Sequence, residues 1–213
     1  MNNKIIYFRN LGLENWFTTF VKMNDFVTLR NLHTFDEIWF VEHYPIFTQG
    51  QSQTQKNMIF SNMIPIVKTN RGGQITYHGP GQQILYFLID IRRRKISIRT
   101  LIKIMQIIVV ETLKKFSLHS YIKNLLPGVY VNKKKICSLG LRVQNGSTLH
   151  GLALNVNMDL TPFSYIYPCG DKNIQMTQIQ NFYPNIQIKD VRKVLIQNLS
   201  KFFDATFVNV LSR

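Results

Sequence analysis

Six consecutive apolar residues, Ile84 to Ile89, stand in mid-chain between Gln83 and Asp90. The run is too short to cross a membrane and does not alternate, so it predicts a strand covered on both faces. Such a strand needs one packed layer above it and another below. The periodicities around it supply candidates. Leu13, Trp16, Phe17, Phe20 and Val21 recur at three and four residues and predict an amphipathic helix reaching about Leu32. Helical spacing returns over residues 98–116, at Leu101, Ile104, Met105, Ile108, Val109 and Leu113, and over 189–203, at Val191, Val194, Leu195, Leu199 and Phe202. Extended segments are predicted at residues 4–8, 37–42, 65–69, 74–78, 83–90, 129–131, 135–143 and 148–155, with Asn145-Gly146 as a two-residue hairpin turn. The strands come in runs rather than alternating with helices, which excludes a doubly wound sheet. No repeat or Ser/Gly/Pro-rich linker divides the chain. The expectation is α/β: a single domain over residues 1–213 with a mixed central β-sheet flanked by helices.

Composition narrows the class. With 213 residues, 45% of them hydrophobic and 12% aromatic, the chain can bury a core without disulfides or a structural metal and is not a disordered segment. Its two cysteines exclude a disulfide scaffold and a four-cysteine zinc site. The most apolar helical stretch, residues 104–110, is far below the roughly 20 residues of a membrane span. The chain starts Met-Asn-Asn-Lys with no long apolar run behind it. These features predict a soluble protein of a reducing, cytoplasmic compartment. The formal charge of +15 has two readings. It fits attraction to an acidic partner, and it fits compositional drift in a chain rich in Lys, Asn and Ile. No zinc finger, basic zipper or RNA-binding repeat accompanies it, so neither nucleic acid nor membrane is an expected partner.

Chemistry concentrates in the segment Arg71-Gly72-Gly73-Gln74-Ile75-Thr76-Tyr77-His78-Gly79-Pro80-Gly81. Glycine lets a ligand approach the main chain, and the polar residues around it read as a pocket wall; a pair of tight turns between core strands is the plainer alternative. No Gly-Lys-Ser/Thr follows, so this is not a nucleotide phosphate loop, and the Gly-x-Gly-x-x-Gly spacing is absent. Cys169 lies in a turn, Tyr167-Pro168-Cys169-Gly170-Asp171, where a thiol can face a cleft. Cys137 lies in an extended segment after Lys135. Strict alternation places Lys135 and Cys137 on one face, but Leu139, Leu141 and Val143 share that face and make it read as core. Lys135 itself ends a run of three lysines, which is either a solvated charge run or a source of a thiolate partner. His33, His43, His78, His119 and His150 are scattered without ligand spacing, and no metal is expected.

Residues 71–82 resemble the signature of the bacterial lipoyl(octanoyl) transferases. Glu42-His43-Tyr44-Pro45 with Phe47-Thr48, the segment from Lys135 to Arg142, the segment from His150 to Asp159, and Pro168-Cys169-Gly170 are similar to the same family, in order, over about residues 37–180. The resemblance implies a biotin/lipoyl protein ligase-like fold and an acyltransferase that needs no cofactor. It implies transfer of an octanoyl group from octanoyl-acyl carrier protein, through a cysteine thioester, to a lysine ε-amine on apo lipoyl domains. The implied acceptors are 2-oxoacid dehydrogenase E2 subunits and the glycine cleavage H protein, with a monomer as the default. Cys169 matches the family's nucleophile, and Lys135 the lysine credited with stabilising its thiolate and moving protons. Substrate-binding positions carry over to Arg71, Gly72, Gly73, Gln74, Ile75, Thr76, Tyr77 and His78, to Ser138, Leu139 and Gly140, and to Gly151, Leu152 and Ala153. Tyr44 stands where the family often has proline. A thioester-to-amide transfer runs downhill without ATP, consistent with the missing phosphate loop. Two other readings compete: an ATP-dependent lipoate or biotin ligase on the same fold, and a basic nucleic-acid-binding module.

Overall fold

The computed structural model describes residues 4–52, 63–123 and 127–210, and of Cys169 the backbone alone. The elements run β1 (Ile5–Glu14), α1 (Trp16–Thr28), β2 (Asp36–His43), β3 (Ile46–Gln49), β4 (Ile66–Lys68), β5 (Ile75–His78), β6 (Gln82–Leu88), α2 (Ile98–Lys114), β7 (Tyr121–Ile122), β8 (Gly128–Val131), β9 (Lys134–Gln144), β10 (Ser147–Asn155), α3 (Ile188–Phe203) and β11 (Thr206–Asn209). An eight-stranded sheet has the order β11-β1-β2-β6-β10-β9-β8-β7, and a small sheet has the order β4-β3-β5. β11, β1 and β2 pair in parallel; β2, β6, β10, β9, β8 and β7 pair antiparallel, which makes the large sheet mixed.

The apolar run lies where its composition requires. Every residue of β6 is buried, with β2 on one side and β10 on the other. Leu85 and Phe87 point into the main core, against Met105, Ile108 and Val109 of α2 and Val191, Leu195 and Leu199 of α3. Ile84, Tyr86 and Leu88 point the opposite way, against Trp39 and Val41 of β2 and Met23 and Val27 of α1. Each such side chain contributes about 1.5–3 kcal/mol by leaving water. The small sheet covers the same face as α1 and has its own core of Phe47, Ile75, Tyr77, Met158, Phe163 and Ile166. The hairpin turn is where Asn145-Gly146 predicts it. Both residues have positive φ (52° and 78°), and Gln144 pairs with Ser147.

Two expectations are corrected. Leu13 is not helical: β1 runs on to Glu14, and Leu13 pairs with Glu42 of β2. The helix starts only after Asn15, whose side-chain oxygen accepts from Phe17 N at 2.9 Å and fixes the first turn. The buried face is therefore Trp16, Thr19, Met23 and Val27. Phe17 (63% exposed) and Val21 look outward, and the helix ends at Thr28 rather than near Leu32. The alternation argument over β9 also fails. Tyr130 pairs with Lys135 and Val129 with Cys137, so Ile136 is an extra residue in a β-bulge. The bulge turns Ile136 and Cys137 together into the main core and leaves Lys135 on the other side. β11 has no counterpart among the predicted strands. Asp204 closes α3 in the left-handed conformation, and four residues then pair beside β1.

Candidate active site

A cleft of about 240 Å³ opens between the large sheet and the small one. Its floor is main chain and small side chains of paired strands: Ser138 opposite Ala153, Leu139 opposite Leu152, and Gly140 opposite Gly151. Ile84 and Tyr86 extend the floor from β6. Arg71, Gly73, Gln74, Ile75, Thr76 and His78 form the facing wall. Of the positions carried over to substrate binding, Gly72 and Tyr77 do not line it. Gly72 N instead donates to Leu141 O at 2.9 Å, tying the wall to β9, and Tyr77 packs with Phe47 and Phe163 in the small core. Along β9 the cleft runs from Lys135 to an end closed by Trp16, Tyr86 and His150, and Pro127 and Pro168 also line it.

Lys135 is 2% exposed. Its N–H donates to Gln175 O at 2.8 Å and its carbonyl accepts from Thr177 N at 2.9 Å, so the segment after residue 170 is laced to this strand. Room for its side chain comes from Gly128: a Cβ there would meet Lys135 Cε at 2.5 Å and Nζ at 3.2 Å. Pro168, which also lines the cleft, opens a 3-10 turn over Pro168–Gly170 with Cys169 in its middle. Gly170 closes the turn at φ 75°, directly against the Gln74 side chain. The other cysteine is elsewhere. Cys137 is fully buried, and burial pushes its thiol up to about 12 despite the nearby Lys135 charge.

The wall is held by buried hydrogen bonds. Arg71 donates to the Thr48 carbonyl (2.5 Å) and hydroxyl (2.9 Å). Thr48 Oγ1 in turn meets His78 Nε2 at 3.1 Å, and His78 Nδ1 donates to Gln82 Oε1 at 2.7 Å. Gln82 donates to Asn155 Oδ1 (3.0 Å), and Asn155 donates to Thr177 O (2.9 Å). The chain of contacts thus ends at the residue that binds the Lys135 carbonyl. His43 Nδ1 donates to Glu14 O at 2.9 Å, which leaves Nε2 to accept from the Tyr86 hydroxyl at 2.8 Å. Burial lowers His43 to about 4, and His78 and His150 to about 3, so all three imidazoles are neutral at pH 7. The same cause raises the Tyr86 phenol. His150 has φ 64° within β10 and meets Asn70 Oδ1 at 2.6 Å. These groups orient and exclude water; none is poised to exchange protons near neutrality. Among the described residues, no three His, Cys, Asp or Glu side chains converge as metal ligands would.

Trp16, Thr48, Ser52, Thr69, Ile84, Tyr86, Pro127 and His150 also line the cleft, although sequence reasoning did not single them out as binding residues. Thr69 Oγ1 is buried with no hydrogen-bond partner among the described residues, a polar atom left for whatever enters. Only tertiary pairing brings these residues together. The sequence signals for them are the family-like segments Glu42–Thr48 and His150–Asp159, which carry Thr48 and His150.

This sheet order, with a cleft between the two sheets, is the fold of the lipoate- and biotin-protein ligase class. The crystal structure of lipoate-protein ligase A bound with ATP aligns with a TM-score of 0.81, over 97% of this chain and 89% of that one, at 18% identity. Biotin protein ligase from Aquifex aeolicus, in complex with biotin and ATP, aligns with a TM-score of 0.59, over 94% of this chain and 70% of that one, at 12% identity. Sequence resolves the class further. The family model "Lipoyl protein ligase A/B catalytic domain" matches residues 7–200. An octanoyltransferase of Buchnera aphidicola subsp. Acyrthosiphon pisum (strain APS) is 67% identical over 98% of this chain and 99% of its own length. The chain belongs to the lipoyl protein ligase A/B catalytic-domain family, among its octanoyltransferases, and is an acyltransferase of protein lipoylation. The resemblance in its motifs and the ligase-like α/β fold expected from it are both borne out.

Proposed function

We propose that the chain works by two successive acyl transfers through Cys169. The Cys169 thiolate attacks the carbonyl of octanoyl-acyl carrier protein, and the carrier sulfur departs and takes a proton. The ε-amine of a lysine on an apo lipoyl domain then attacks the Cys169 thioester; an amide forms, the cysteine sulfur leaves, and the amine sheds a proton. Lys135 stabilises the thiolate and relays protons in both halves. The octanoyl tail lies along Ser138–Gly140 and Gly151–Ala153, under the wall from Arg71 to His78. E2 subunits of 2-oxoacid dehydrogenases and the glycine cleavage H protein are the acceptors. The unit of activity is one domain over residues 1–213, acting as a monomer in the cytoplasm.

The observation that carries this reading is the shared cleft. A nearly solvent-free Lys135 and Pro168, the first residue of the cysteine turn, line the same apolar slot. A lysine held beside a cysteine favours the thiolate form of that sulfur. Intact mass after mixing with octanoyl-acyl carrier protein should show one hydroxylamine-labile octanoyl adduct on the wild type and on Cys137→Ser, and none on Cys169→Ser. An adduct lost with Cys137 would overturn the assignment. ATP-dependent turnover indifferent to Cys169 would assign the chain to the ligases instead. Lys135→Ala should slow acylation and move its pH profile upward.

A further inference from the structure

The hairpin between β8 and β9 turns on Asn132 and Lys133, with φ of 47° and 66°. Two positive φ values make it the turn that normally takes Asn-Gly, yet a lysine occupies the second position at a steric cost. Val131 pairs with Lys134, so the tip is closed and holds Lys133 and Lys134 outward, both exposed. Lys135 follows at once and enters the cleft. The 171–175 segment runs back alongside, joined through the bond from Lys135 N to Gln175 O, and carries exposed Lys172. Lys123 completes the group, its Nζ 4.4 Å from the ring centroid of Tyr130, the residue opposite Lys135. None of these four lysines forms an ion pair among the described residues. The one carboxylate in these segments, Asp171, accepts from Asn173 N.

Some arginines of the chain are neutralised internally. Arg30, Arg93 and Arg94 all bind the buried Asp36 carboxylate, and Arg9 binds Glu37. The four lysines on the segments that adjoin Lys135 and the cysteine turn have no such ion-pair partner among the described residues.

We infer that Lys133, Lys134 and Lys172 form the docking surface for the acceptor, a protein domain presenting its target lysine from an acidic face. The inference rests on the thioester reading above. Reach selects the acceptor over the donor. A lysine side chain spans only about 6 Å from Cα to Nζ, so the acceptor main chain must come down onto the rim. An acyl group carried on a prosthetic arm lets its protein stand further off. Complementary charge at such a rim raises the rate of productive encounter and is weakened by salt.

The test uses the full chain and separates the two half-reactions. Acylation is followed with an uncharged octanoyl thioester of N-acetylcysteamine, and transfer with an apo lipoyl domain. The Lys133→Gln, Lys134→Gln, Lys172→Gln triple variant should acylate like the wild type. Its kcat/KM for the lipoyl domain should fall about tenfold and lose most of its dependence on sodium chloride. A control with the same charge removed from the opposite layer, Lys115→Gln, Lys189→Gln, Lys193→Gln, should behave as the wild type in both. Equal losses in the two triple variants, or an unchanged salt dependence in the first, would overturn the inference. A loss in the small-thioester reaction would also overturn it. A wild type that takes no octanoyl group from the small thioester would sink the thioester reading itself, a separate and recognisable failure.

Discussion

Lys135 owes its position to two neighbours that carry no charge. Ile136 supplies the extra link that turns the lysine away from the core, and Gly128 leaves the volume its side chain crosses. Neither is legible as functional in a sequence: an isoleucine in a strand looks like packing, and a glycine before Val129 looks like the end of a turn. The turn around Cys169 marks it as a candidate thiol, but the pairing of Cys169 with Lys135 rests on the family motifs, because alternation along residues 135–143 points to the other thiol. Gly128→Ala puts a methyl group 2.5 Å from Lys135 Cε and 2.9 Å from the Cys137 carbonyl oxygen, so both the lysine side chain and the β9 main chain must shift. The melting temperature should fall because strand backbone must give way. At temperatures where the variant is still folded, the rate of octanoyl transfer should fall about a hundredfold, the usual consequence of misplacing a reacting group by an ångström. Stopped-flow acylation beside a thermal melt checks both halves; an unchanged rate would remove the ammonium from the chemistry.

At the scale of elements, β6 and the β9–β10 hairpin were readable because each is governed by local rules, burial on two faces and a turn that needs positive φ. α1 was readable in kind but not in face. Asn15 caps it one turn later than the apolar spacing implies, and that shift exchanges Phe17 and Val21 for Met23 and Val27. The same cap sets Trp16 as the first helical residue, stacked on Phe20 at 4.8 Å and closing the cleft at the end remote from Lys135. Shortening that stop should lengthen the substrate. For Trp16→Leu, competition among octanoyl, decanoyl and dodecanoyl thioesters should shift toward decanoyl. Each newly buried methylene is worth about 0.8 kcal/mol, roughly fourfold in kcat/KM. Unaltered preference would mean that the tail does not reach α1.

The whole molecule carries three imidazoles that its packing keeps neutral. Their folded values, about 4 for His43 and about 3 for His78 and His150, lie below the ordinary 6.5. The unfolded chain therefore binds more protons once the pH drops under 6.5. Stability is intact above that point and is lost progressively as pH falls toward the folded values. At pH 5 the loss is about 2 kcal/mol for each histidine that stays neutral in the fold. Urea midpoints taken between pH 7.5 and 5 should fall steeply, and His43→Gln should flatten part of the slope; a level curve for the wild type would show that the imidazoles are not held neutral. Apparent basicity also changes meaning at this scale. Arg93 and Arg94 stand in the basic run Arg92-Arg93-Arg94-Lys95, but Asp36, 57 and 58 residues earlier in the chain, receives them at 2.7 and 2.5 Å. No window of neighbouring residues contains that pairing.

The bulge at Ile136 has one more effect. By sealing Cys137 in the dry interior, it makes the folded chain show a disulfide-exchange reagent one sulfur at most, whereas the unfolded chain shows two. Counting released chromophore per molecule under rising denaturant would then follow the opening of the main core directly, with no label attached and no tryptophan signal to interpret.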